Sequence, residues 1–143
     1  MNPAENGTYI LVLENPQDRE IATGKFGYIH YRQGWYLYVG SAFGPGGIRA
    51  RVNRHFKADK KAHWHIDYLT LALGVKECWY HAGAQRLECA WSRHLESMHD
   101  HYPVTGFGSS DCQCASHLHY FSARPSRAAL ANLLQLTLNT RGS

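Results

Sequence analysis

The chain has 143 residues, 44% of them hydrophobic and 18% charged, enough to bury the core of one ordinary domain and too apolar for disorder over most of its length. No apolar run approaches the roughly 18 residues of a membrane-spanning helix, and the opening "MNPAENG" lacks the basic and apolar regions of a secretory leader, so the expectation is a soluble cytoplasmic protein with no membrane partner. The net charge of +4 is modest, yet between Gly47 and Lys61 six basic residues face Asp59 alone. A polyanion partner requires such a field, although a solvated helix face produces the same pattern.

In chain order, "TYILVL" (8–13) reads as a buried strand and "ENPQDRE" as a polar turn. "KFGYIHY" is a weaker strand ending at "RQG". "WYLYV" alternates, placing Trp35, Leu37 and Val39 on one face and Tyr36 and Tyr38 on the other. After Gly47 the period lengthens: Ile48, Val52 and Phe56 form the stripe of an amphipathic helix, and Ile66, Leu69 and Leu73 mark a second one in "HIDYLTLAL". "VKECWYH" is a short strand and "RLECAWSRHLESM" a clear helix. The loop "YPVTGFGSSDCQCAS" leads to a strand, "HLHYF", and Pro125 introduces a last helix from Arg127 to Leu138. With no internal repeat and no linker, residues 1–143 read as one α+β domain.

The glycine-rich stretch "GSAFGPGGIRARVNRH" invites two phosphate-binding readings, and both fail. A dinucleotide fingerprint starting at Gly44 needs glycine where Arg49 stands, and no lysine follows Gly46 or Gly47 as a P-loop demands, so a nucleotide cofactor is not expected. What remains is a strand delivering Tyr38, a turn, and a helix whose Arg51 and His55 stand four residues apart at the rim of the apolar stripe.

Four cysteines, Cys78, Cys89, Cys112 and Cys114, show no disulfide framework. Cys112 and Cys114 with His117 and His119 offer a structural Zn²⁺ site, but C-x-C-x-x-H-x-H is not a common finger. The stronger reading is a rigid loop in which Ser109, Ser110 and Asp111 satisfy backbone groups or approach the cleft.

"GTY" (7–9), "YVG" (38–40), the pattern Ile48-x-x-Arg51-Val52-x-x-His55 and a later helix with Glu88 together resemble the GIY-YIG nuclease family. "GSAFGPGG", "HWHIDYL" and "GFGSSDCQCASHL" are similar to its Uri-type branch of predicted endonucleases. The resemblance implies a small, mostly antiparallel sheet flanked by helices and metal-dependent hydrolysis of a DNA phosphodiester. In its terms Tyr9 is the general base, Tyr38 hydrogen-bonds in the same site, and His55 orients a tyrosine or assists proton movement. Arg51 holds the phosphate, since a guanidinium pairs bidentately with phosphate oxygens. Glu88 binds one hard cation, Mg²⁺ or Mn²⁺. An unperturbed tyrosine is a poor base at neutral pH, and a neighbouring guanidinium and cation are expected to favour its phenolate.

Glu88 is favoured over Glu77, on a strand, and over Glu96, which falls roughly 180° from the Leu87 direction of its helix. The expected substrate contacts are Gly40, Ser41, Arg49, Arg54, Lys57, His63 and His65. His63 and Asp67 are expected on one helix face, as a buried pair or as a substrate contact. Tyr9 and Tyr38 are 29 positions apart, with "KFGYIHY" inserted as an extra strand or a substrate-contacting flap. Asn132 and Asn139 are placed on the last helix, outside any family position. The absence of a separate recognition domain leans toward single-stranded or structured DNA. The rival from another class is an inert nucleic-acid-binding module using the basic helix and exposed aromatics.

Overall fold

A computed structural model describes residues 5–98, 101–103 and 117–142. Among them, strands β1 (Gly7–Asn15), β4 (Gly34–Ala42), β5 (Glu77–Ala82), β6 (His101–Pro103), β7 (Leu118–Phe121) and β8 (Asn139–Gly142) form one sheet in the order β6-β7-β4-β1-β5-β8. Every pairing in it is antiparallel. Strands β2 (Arg19–Ala22) and β3 (Tyr28–Tyr31) form a separate hairpin. Helices α1 (Gly47–Phe56), α2 (His65–Leu73), α3 (Glu88–Glu96) and α4 (Arg127–Leu134) complete an α+β architecture, as the sequence predicts.

The helices cover both faces of the sheet, which explains why β1 reads as an unbroken apolar run. Tyr9, Leu11 and Leu13 of β1 pack with Ile48 and Val52 of α1 and Ile66 and Leu69 of α2. Ile10 and Val12 turn the other way, onto Trp91 and Leu95 of α3 and Leu130 of α4. Tyr36 and Tyr38 share the first face, and Leu37 and Val39 the second, as the alternation of β4 requires.

Three sequence expectations are corrected. Arg19 and Glu20 do not belong to a turn: they begin β2, whose single buried residue, Ile21, leaves too little alternation to read. The insertion is therefore a hairpin, closed by a short 3₁₀ turn at Gly24–Phe26 and tied by Thr23, whose hydroxyl meets Tyr31 Oη at 3.0 Å. The last helix stops at Leu134 because Gln135 adopts left-handed geometry, φ 57° and ψ 43°. Asn139 thus lies on β8, paired across the sheet with Tyr80, and not on the helix. Finally, α2 begins at His65, so His63 precedes the helix and shares no helix face with Asp67.

Candidate active site

The site is assembled where β1, β4 and α1 meet. Tyr9 stands opposite Gly40 and Tyr38 opposite Leu11, so the two tyrosines are diagonal neighbours on one face of the sheet. From β4 the chain swings into α1 through "FGPGG", where Gly46 and Gly47 hold φ of 81° and 58°, a region that disfavours side chains bearing a Cβ. The turn closes with Gly47 N–H donating to Gly44 O at 3.1 Å. It aims the first turns of α1 across the ends of β1 and β4.

His55 on α1 is 1% exposed, as is Tyr9, and its Nε2 lies 2.7 Å from the Tyr9 hydroxyl. Burial, seconded by the charge of Lys60, pushes the imidazole down to about 3, so it is neutral at physiological pH. Nε2 then accepts from the hydroxyl or donates to it according to tautomer, while Nδ1 has no partner among the described residues. Tyr9 is pushed well above 10 by burial and by Tyr38, with Arg51 pulling the other way. Tyr38 is raised to about 12 by burial and then by the charge of Glu88, again opposed by Arg51. Without a cation the Arg51 guanidinium does not secure a phenolate: desolvation outweighs it, and both tyrosines are neutral.

Arg51 donates through Nη1 to the Ser41 carbonyl at 3.2 Å and lies 4.5 Å from the centre of the Trp64 ring. The Arg54 guanidinium also lies over Trp64, at 4.4 Å, and pairs bidentately with Asp67 at 2.7 and 2.9 Å. Asp67 is fully buried and accepts further from the backbone N–H groups of His63 and Trp64, at 2.7 and 2.8 Å. Burial alone would raise its carboxyl, but Arg54 and the two N–H groups bring it down to about 2. Lys60 donates to the Arg54 and His55 carbonyls and to Thr70 Oγ1, satisfying the C-terminal end of α1. A cleft of about 170 Å³, bordered by Gly44, Pro45, Arg51 and Arg54, opens beside this cluster.

Glu88 begins α3, on the opposite face of the sheet, yet its charge acts on Tyr38. Its side chain is 26% exposed, with Oε2 3.9 Å from His117 Nδ1. One half-open carboxylate fits Mg²⁺, which keeps several of its waters and takes few protein ligands. Among the described residues no group of three or more His, Cys, Asp or Glu could hold a metal. The expected zinc ligands Cys112 and Cys114, with Ser109, Ser110 and Asp111, lie outside the described residues. His117 faces Cys89 as well as Glu88, and His119 Nε2 lies 3.3 Å from Ser92 Oγ.

The expected substrate contacts divide. Arg54 borders the cleft, and Ser41 contributes a backbone carbonyl to Arg51. Gly40 is buried beneath the Tyr9 ring. Arg49 and His63 are exposed, and Lys57 lines a second hollow with Asn53, Arg54 and Lys61. His65 packs on Phe26, with ring centroids 4.2 Å apart. The pair expected for His63 and Asp67 is instead Arg54 with Asp67, because Asp67 sits at the third position of α2, where a carboxylate satisfies free backbone N–H groups. Trp64, part of the "HWHIDYL" stretch, and Lys60, one of the basic run, take structural places in the site as a ring under two guanidiniums and a donor to the end of α1. Trp64 three residues before Asp67 marks the start of α2, but nothing in that spacing reveals two guanidiniums over its ring.

The architecture is an antiparallel sheet covered on both faces, with two arginines bordering one cleft and two tyrosines and a neutral histidine packed near Arg51. The chain belongs to the family described as Domain of unknown function DUF123, whose model matches residues 8–138. No curated protein and no solved structure matches the chain.

Proposed function

We propose that this protein is a metal-dependent endonuclease of the GIY-YIG type, in its Uri-like branch, hydrolysing DNA phosphodiester bonds. The observation that carries the reading is the buried 2.7 Å contact between Tyr9 and His55, set beside Arg51 and an open cleft. Arg51 holds the scissile phosphate and stabilises the charge that builds on it. Because both partners are neutral, Tyr9 serves as a relay: its oxygen takes a proton from the attacking water while its own proton passes to His55 Nε2. Water oxygen bonds to phosphorus, the opposite P–O bond breaks, and the leaving oxygen takes a proton from solvent. Burial is the main cause of His55's neutrality, and the anionic phosphate offsets the field of Lys60, Arg51 and Arg54 that adds to it. Tyr38 orients the reacting groups from the next strand. A Mg²⁺ or Mn²⁺ ion at Glu88, when bound, supplies Lewis-acid stabilisation of phosphate oxygen.

The test is cleavage of labelled DNA. The expected outcome is cutting with Mg²⁺ or Mn²⁺, none with chelator, and loss of cutting but not of binding in Glu88→Ala. Tyr9→Phe should slow cleavage at least a hundredfold, within the range of general-base effects. Wild-type rates in either variant would refute the assignment, and binding without cutting under every condition would support the inert nucleic-acid-binding module.

A further inference from the structure

The hairpin of β2 and β3 takes no part in this chemistry, yet it carries two of the three large apolar side chains that stand exposed among the described residues. Phe26 is 38% exposed and Tyr28 is 75% exposed. The two stand two positions apart in the chain, Phe26 ending the turn and Tyr28 opening β3. Phe26 rests on His65, the first residue of α2, whose chain neighbour Trp64 carries the guanidiniums of Arg51 and Arg54. An aromatic line therefore runs from the hairpin to the basic edge of the cleft. Lys25, beside Phe26, adds positive charge at the outer end.

We propose that Phe26 and Tyr28 form a stacking platform for an unpaired base of single-stranded DNA, next to the phosphate held at Arg51. The inference rests on the nuclease reading for its placement. Ring faces are what an unpaired base offers and a paired one conceals within its stack, and aromatic rings interleaved with basic groups are the chemistry that holds a single strand without reading its sequence. Two rings flanked by Lys25 make too small and too charged a patch for a stable protein interface. The line through His65 to Trp64 joins the platform to the phosphate site.

The experiment uses the full chain in chelator, so that nothing is cut, with 2-aminopurine-labelled oligonucleotides, single-stranded and duplex, at fixed low salt. Phe26→Ala/Tyr28→Ala should lower single-strand affinity at least tenfold, abolish the fluorescence change of the stacked base, and leave duplex affinity within twofold. Phe26→Trp/Tyr28→Trp should retain single-strand binding. Unchanged single-strand affinity in the alanine pair, or equal losses on both substrates, would overturn the platform. A parallel incubation with Mg²⁺ separates the two ideas: single-strand binding that depends on Phe26 and Tyr28 without any cutting keeps the platform and refutes the nuclease, whereas a wild-type chain that binds no DNA refutes both.

Discussion

Gly40 is the floor on which Tyr9 lies. The two residues face each other across β1 and β4, and a Cβ added at position 40 would stand 2.5 Å from the Tyr9 hydroxyl and ring. The glycine of "YVG" thus contributes by its missing side chain, and the ring it admits reaches His55.

Gly40→Ala should accordingly damage stability and activity together. The tyrosine is buried, and the added Cβ presses on its hydroxyl and ring, so the contact with His55 is disturbed. Overpacking of this kind costs about 1 to 3 kcal/mol, to be read from urea unfolding midpoints, and cleavage should fall well beyond that loss of folded protein. A variant of wild-type stability and activity would mean that the Tyr9 ring is not held as described.

How far this site was legible in the sequence follows from its range. Tyr38, Arg51 and His55 are readable from local period: alternation sets the face of Tyr38, and helical spacing puts Arg51 and His55 together. Tyr9 enters only through the resemblance to the nuclease family, because its place beside Tyr38 depends on the register of β1 against β4. The strand β3 is legible within "KFGYIHY", but β2 and β8 are not, because these four-residue strands have almost no buried face and depend on partners for pairing. The raised tyrosine pKa values are equally out of reach, since their main cause is desolvation, which depends on which helices cover the sheet.

Asp67 offers a second prediction. It is a buried carboxylate that accepts from both Nη atoms of Arg54 and from two backbone N–H groups at once, so Asp67→Ala leaves four N–H donors without their acceptor. Because the Arg54 side chain is 27% exposed and can turn to water, the cost is that of the stranded backbone N–H groups, about 1 to 3 kcal/mol, visible as a lowered urea midpoint. Asp67→Asn, which keeps one acceptor oxygen, should lose less. Arg54→Ala in the Asp67→Ala background should cost clearly less than Arg54→Ala alone, because the partners share one interaction.

Trp64 is a positioning residue in this geometry. With Arg51 and Arg54 over its ring, it restricts where the guanidiniums can point, each such contact contributing about 0.5 to 1 kcal/mol at an open site. Trp64→Phe should preserve most activity, and Trp64→Ala should raise KM for DNA more than it lowers kcat. The salt dependence of binding should be retained, since both positive charges remain. A collapse of kcat with unchanged KM would assign Trp64 another role.

His55 sets the acid limit of the fold. Its imidazole is pushed down to about 3 by burial, and the cations Lys60, Arg51 and Arg54 around it outweigh the opposing charge of Asp67. The unfolded chain takes up a proton at this residue near pH 6.5, while the folded chain resists until about 3. The stability it contributes is therefore complete above 6.5 and declines as pH falls through that window. Between pH 7 and pH 5 the loss is about 2 kcal/mol. Asp67 has no part in this interval, because its contribution is complete above the ordinary carboxylate range and declines only as pH falls toward 2. His65, also held down by burial and then by Lys25, acts with the same sign, so the informative quantity is a difference. Unfolding midpoints of wild type and His55→Gln, compared at pH 7 and pH 5, should converge as the solution is acidified. If the gap stays constant, His55 is not the buried neutral base that the Tyr9 relay requires.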